Sequence, residues 1–381
     1  MGSESEDVVS GAGAHERANA DGPNVVPPEE PVADAPDRPD AGDDEPGRPS
    51  RGLRPLLAVV PVLVLVVVMW AVQLPYFVQA PGQAQEVEPL IHVSGHATYQ
   101  SVGHLVLTDV DLLYRPNVFA AAAAAVRPTE QLVPTDEILE PGQTTQQYIT
   151  QGFTDMSTSK IDATVVALGK VANYPKNHGD GALIESVLSG TPAAGKLYPG
   201  DLVIAANGKP VKTIADASAA IKSAGYGGTV VLTVRANEKT RTVTVSPTHL
   251  KGLDYPAIGV GMVANFPFHV DISSEGIGGP SAGLMWTLGL IDLLTPGDLT
   301  GGRIIAGTGE IATNGTVLPI GGVQQKVAAA EAAHATVFFV PVQNANDAAS
   351  VAHGITIVPV RTYTDALNWL SAHPPGPAGG G

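Results

Sequence analysis

From Leu56 to Val72 the chain runs for seventeen residues without a charge, and only Pro61 and Trp70 interrupt Leu, Val, Ala and Met. A stretch this long and this apolar can cross a bilayer, and it divides the chain into a short head and a long body. As a helix it reaches roughly the hydrocarbon thickness. Pro61 is tolerated in such a helix, and Trp70 and Tyr76 suit its far interface. Arg48, Arg51 and Arg54 flank its start, and the next lysine or arginine is Arg115. The preference of positive charge for the cytoplasmic side then predicts a transmembrane anchor over 51–75, with the N-terminus cytoplasmic and the C-terminal domains extracytoplasmic. Val78-Gln79-Ala80 resembles a signal-peptide cleavage site. A fifty-residue acidic leader is too long for an ordinary signal peptide, so the reading is an uncleaved, single-pass anchor in the cell membrane.

Residues 1–50 hold thirteen Asp and Glu against three Arg, and no Phe, Tyr, Trp, Leu or Ile. So little apolar surface cannot offset the entropy of ordering, which predicts a disordered acidic tail. That tail contributes −10 of the net −16, leaving a mildly acidic body without the basic, aromatic-studded surface of a nucleic-acid binder. There is no cysteine, which removes disulfides and thiol chemistry. At 381 residues, two or three domains are expected.

Residues 76–160 carry no chemical motif and read as a spacer of mixed structure: short strands at His92–Ser94 and Leu105–Thr108, an Ala-rich helix from Phe119, and a long helix from Thr144 to Val171. Over 161–249 the order is clearer. A strand, Ala182–Val187, precedes Thr191-Pro192-Ala193, then Leu197-Tyr198-Pro199-Gly200-Asp201-Leu202-Val203, then Asn207-Gly208-Lys209-Pro210-Val211. A helix over Ile214–Ser223 and a hairpin over Thr229–Val245 complete it. This order resembles a PDZ domain. The resemblance implies a peptide groove between the strand at Leu183–Val187 and the helix at Asp216–Ser223, with Leu183, Ile184 and Ala220 as peptide-binding candidates. The alternative is a β-module that binds nothing. Gly190–Lys196 mimics the start of a P-loop, but Leu197 replaces the magnesium-binding Ser or Thr, so no nucleotide is expected.

The chemistry concentrates in 250–373, where strands and helices alternate as in an α/β domain. Gly279-Pro280-Ser281-Ala282-Gly283 is a tight turn with one serine at its tip, followed directly by an apolar helix. The turn fits the bare Gly-x-Ser-x-Gly template, so two bases compete for Ser281. One is a histidine, from His334, His353 or His373, as in a serine esterase. The other is Lys326, on a helix from Val323 to His334. On that helix Lys326 falls on the arc of Val327, Ala330 and Ala333, whereas Gln324 and Gln325 fall outside it. The lysine therefore points inward, where burial lowers its pKa toward the range of a general base. Backbone N–H groups at the start of the helix after Ser281 suit an oxyanion. Gly279 and Ala282, which flank the serine, are supporting candidates.

Gly-Pro-Ser-Ala-Gly, then Thr308-Gly309-Glu310-Ile311, Asn314-Gly315, Leu318-Pro319-Ile320-Gly321-Gly322 and Lys326, resembles the proteolytic domain of Lon proteases. The resemblance implies Ser281 as nucleophile, Lys326 as its dyad partner, and Thr308 as a residue that orients the lysine. No counterpart of Lon's ATPase module is present, and Ile277-Gly278 stands where Lon carries a Lys-Asp pair, leaving the acidic environment unassigned. The whole order resembles the bacterial membrane-anchored proteins that join a PDZ domain to a Lon-like domain. The expected protein is an α+β multidomain chain: an anchor, a PDZ-like β-module, a Lon-type proteolytic domain and a flexible tail over 374–381. The expected activity is ATP-independent serine endopeptidase action on peptides or proteins, with the PDZ domain selecting substrates or regulating cleavage. No cofactor, metal, nucleotide or nucleic acid is expected, and a homo-oligomer is left open. A non-catalytic PDZ scaffold is the rival from another class.

Overall fold

The computed structural model describes residues 53–274 and 276–374, with side chains in the first helix from Val59 onward. The expected acidic tail and nearly all of the C-terminal tail lie outside the described residues. α1 covers Leu53–Ala71. Among the described residues no helix is long and apolar enough to cross a membrane, and the expected anchor falls partly outside the described side chains.

Then come β1 (Tyr76–Glu86), β2 (Ile91–Ser94), β3 (His104–Tyr114), α2 (Val118–Val126), β4 (Gln131–Pro134), the one-turn α3 (Thr135–Ile138) and the long α4 (Thr145–Val171). The middle of the chain forms β5 (Gly179–Val187), β6 (Leu202–Ala206), β7 (Lys209–Pro210), α5 (Ile214–Ser223), β8 (Val230–Ala236) and β9 (Lys239–Val245). The last third forms β10 (Val260–Asn265), β11 (His269–Ile272), α6 (Gly283–Leu294), β12 (Ile304–Gly307), β13 (Glu310–Ile311) and β14 (Val317–Leu318). It ends with α7 (Val323–Ala332), β15 (Val337–Pro341), α8 (Ala345–Val351), β16 (Thr356–Val360) and α9 (Tyr363–Ala372).

One sheet has the order β16-β15-β12-β3-β1-β4. β3, β12, β15 and β16 run parallel, and β1 lies antiparallel between β3 and β4. β15 is buried at every position, as expected of a parallel strand covered on both faces. The alternation of strand side chains sorts the two cores. Leu105, Leu107 and Phe339 face a cluster with Met156 of α4, the α6 residues and Leu370 of α9. Val106, Phe338 and Val340 face a second cluster with Val323, Val327 and Ala330 of α7 and Ala348 of α8. α6 is apolar around its whole circumference and accordingly is buried on nearly all sides, packed against α4.

β1 and β3, drawn from the stretch expected to be a spacer, occupy the interior of this sheet. The spacer reading overlooked that β3 pairs in parallel with β12, two hundred residues on, a contact that local pattern cannot reveal.

The other sheet has the order β10-β5-β6-β8-β9, with β7 on β6, around a core that includes Ile184, Val203, Ala217, Ile221 and Leu232. β10, which follows the β8–β9 hairpin, returns to the outer edge beside β5. β11 pairs with β2 and carries the chain on toward the serine turn.

Candidate active site

Ser281 sits on the turn just before α6. Gly279 has φ +86°, a conformation glycine adopts without strain, and this bends the chain so that the next residues close a turn, with Gly283 N–H on Pro280 O at 3.2 Å. The Ser281 carbonyl is held twice: by Gly309 N–H at 2.8 Å and by the Thr308 hydroxyl at 3.0 Å. Gly152 of α4 accepts from Gly279 N–H at 2.7 Å. α6 begins at Gly283, two residues later than the sequence suggested, so the serine precedes the helix instead of opening it. Its N–H and that of Ala282 have no acceptor among the described residues, leaving both free to meet an oxyanion.

Lys326 arrives from the opposite face of the sheet. Asn344 clamps the approach to α7 by accepting from Ile320 N–H and donating to Ile320 O, both at 2.9 Å. The α7 face that meets β1 and β3 then carries the lysine inward until it is only 4% exposed. Its Nζ donates to Thr108 O on β3 at 2.7 Å and lies 2.9 Å from Ser281 Oγ. Burial lowers the amine to about 8, opposed by the charge of Asp109.

Asp109, next to Thr108 on β3, is the carboxyl group whose charge reaches Lys326. Between β1 and β3 the register shifts from Pro81 to Ala84, so Gly82 and Gln83 form a bulge opposite Asp109. Gln83 N–H donates to its carboxylate, and a Cβ at Gly82 would collide with it. Burial raises the Asp109 carboxyl, while Lys326 and the Gln83 bond pull it down. Pro81-Gly82 inside a strand was the only signal in the sequence.

Several expectations change. Thr308 donates to the Ser281 carbonyl, so it steadies the serine, while the carbonyl that holds the lysine belongs to Thr108. Gln325, expected to face outward, is buried beside Lys326 and Ala329, whereas Gln324 faces α8 and donates to Ser350 Oγ. His334, His353 and His373 are all exposed, and His373 stacks on Trp369 with its Nδ1 2.8 Å from Trp369 O. The described hydrogen-bond partner of Ser281 Oγ is the lysine.

Comparison with known proteins matches residues 261–370 to the Lon protease (S16) C-terminal proteolytic domain and residues 168–246 to the PDZ domain. The chain joins a PDZ domain to a Lon-type proteolytic domain. Lon protease 2 of Bacillus subtilis is 35% identical over 29% of this chain and 19% of its own length. The Lon protease of Mycolicibacterium smegmatis is 37% identical over 27% of this chain and 13% of its own. The chain therefore spans under a fifth of the length of these relatives. A solved PDZ domain of an SdrC-like protein from Listeria monocytogenes is 28% identical over 22% of this chain and 88% of that one, with a TM-score of 0.21.

In the PDZ domain the groove differs from the expected one. β5 is hydrogen-bonded on both sides, by β6 and β10, so it has no free edge for a peptide. Leu183 pairs with both Leu202 and Val263, Ile184 lies in the core, and Ala220 packs against that core. The cleft lies instead between Ser218, Ile221 and Lys222 of α5 and Ile258, Val260 and Met262 at the outer strand β10. Lys222 Nζ sits 4.0 Å above the ring of Tyr255 at its wall. The apolar-Gly-apolar step Ile258-Gly259-Val260 was the available signal, but its place beyond the hairpin assigned it to the next domain.

The buried amine has a measurable effect on stability. Lys326 is lowered from 10.5 to about 8 on folding, so between those pH values the unfolded chain binds the extra proton and stability rises with pH. Below about 8 both states are protonated and the native state carries the buried charge. Denaturant unfolding should therefore show the parent gaining about 3 kcal/mol on Lys326→Met as pH rises through this interval. A constant difference would mean that the amine is not desolvated.

Proposed function

We propose that this chain is a serine endopeptidase in which Lys326 activates Ser281. The observation that carries the reading is the 2.9 Å approach of a buried Nζ to Ser281 Oγ, with a second hydrogen bond from Nζ to Thr108 O fixing the amine. As the neutral amine, Lys326 accepts the Ser281 proton while Oγ attacks the peptide carbonyl carbon. The oxyanion meets the N–H groups of Ser281 and Ala282. Collapse breaks the C–N bond, and the ammonium returns its proton to the departing amine. Water, deprotonated by the same lysine, then releases the acyl group from the serine. None of these steps consumes a nucleotide. The intact pair weighs against a scaffold without catalysis, and the exposed histidines weigh against the esterase.

In the assay, kcat/KM should rise with pH through about 8 and then level, because the free enzyme must hold Lys326 neutral. Ser281→Ala and Lys326→Met should each lower kcat by roughly a thousandfold or more, and the double variant should be no worse than either. Lys326→Arg should be equally inactive, since guanidinium keeps its proton. Full turnover by folded Lys326→Met would overturn the dyad.

The α5–β10 cleft is the site we assign to extended peptides, supported by the free outer edge of β10 and the apolar side chains opposite it. Ser218→Trp would fill it. Cleavage of a protein substrate should then fall about tenfold, while that of a short fluorogenic peptide holds. Equal losses on both substrates would refute selection by this cleft.

We further propose that α1 is an uncleaved anchor with the catalytic domains outside the cytoplasm. Support comes from the arginines before it and from its side chains, since Val59 to Val68 and Trp70 present large apolar groups that are exposed wherever they are described. Protease added to intact cells should remove a C-terminal tag and spare an N-terminal one. The reverse pattern would reject the orientation.

A further inference from the structure

Three consecutive residues of α4 reach three different places. The Thr158 hydroxyl donates to Glu185 O on β5 of the PDZ sheet at 3.1 Å. The Ser159 hydroxyl donates to Pro280 O, the carbonyl next to Ser281, at 2.9 Å. The Lys160 Nζ donates to Ser274 Oγ, beyond the end of β11, at 2.9 Å. Two turns earlier, Gly152 O takes the Gly279 N–H. Residues 152 and 159, a heptad apart, share one helical face, and both hold the serine turn.

The hold is close and dry. Ser159 is 2% exposed, and a Cβ on Gly283 would stand 3.0 Å from its Oγ. Mid-helix serines usually return their hydroxyl to the carbonyl four residues earlier, as Ser157 does to Phe153 O. Ser159 spends its only donor across the interface instead. One turn past Thr158, burial first and the charge of Glu185 on β5 second raise the Asp162 carboxyl.

We propose that Ser159 is a positioning residue for Ser281, and that α4, pinned to β5 through Thr158, makes the PDZ sheet part of the support of the nucleophile. This rests on the reading of Ser281 as the nucleophile. The Pro280 carbonyl is one peptide unit from Ser281, so losing its donor loosens the Ser281 Oγ relative to Lys326. A misplaced nucleophile lowers the rate of attack and leaves peptide binding nearly intact.

The test uses the full chain with Ser159→Ala, Thr158→Val and the double variant. For Ser159→Ala, kcat on a short fluorogenic peptide should fall about tenfold with KM unchanged, matching the loss of one net hydrogen bond. Fluorophosphonate labelling of Ser281 should slow in the same proportion. Thr158→Val, remote from the serine, should move kcat in the same direction by a smaller factor, and the double variant should fall short of the product of the two effects. Wild-type kcat and labelling in folded Ser159→Ala would overturn the proposal, as would a loss confined to KM. Amide exchange over 277–283 separates this from failure of the dyad. Faster exchange in Ser159→Ala supports the hold even if Ser281 proves unreactive, and unchanged exchange in an active enzyme rejects the hold while the dyad stands.

Discussion

The architecture of the site turns on where one amine can be buried. A lysine at 4% exposure has lost nearly all its water, and only a carbonyl acceptor and a hydroxyl stand in for it. The carbonyl belongs to Thr108, in the interior of the mixed sheet, where neighbouring strands hold the backbone. The hydroxyl belongs to a turn fastened by Thr308, Gly309 and α4. Each partner of the amine is thus fixed by structure formed far away in sequence. The amine cannot rotate away without leaving those acceptors unmatched.

Electrostatics tune the same group from a distance. Burial favours the neutral amine, whereas Asp109 favours the charged one, and the balance falls near 8. Asp109 is no ion-pair partner within contact range among the described residues. Its carboxylate is occupied by the bulge N–H of Gln83 and acts on the lysine through its field. A direct salt bridge would hold the proton more firmly and leave less of the amine neutral at a given pH.

What the residues disclosed in advance were features written locally. The turn around Ser281, the apolar circumference of α6 and the inward arc of Lys326 are short-range patterns, and each is present in the fold. Contacts made at long range stayed hidden. Thr108 and Asp109 lie more than two hundred residues before Lys326, in a stretch with no motif. Ser159 looked like one more polar residue on a long helix. The groove was misplaced for a related reason, since β10 completes a sheet whose other strands had already ended at Val245. Gln325 misled because the buried arc of α7 is wider than its apolar stripe, running from Gln325 through Ala329 and Lys326 to Val323 and Val327.

β10 is the last strand of the PDZ sheet, yet the match to the Lon-type domain starts at residue 261, one residue into that strand. The seam between the two domains therefore runs through a strand, not through a loop. Ordinary multidomain chains trade domains at flexible linkers, where recombination leaves both partners whole. A crossover here would strip the recognition sheet of its outer strand or leave the hydrolase trailing an unpaired one. This one strand thus belongs at once to the PDZ sheet and to the stretch matched as Lon-type domain, and it ties the two into one body.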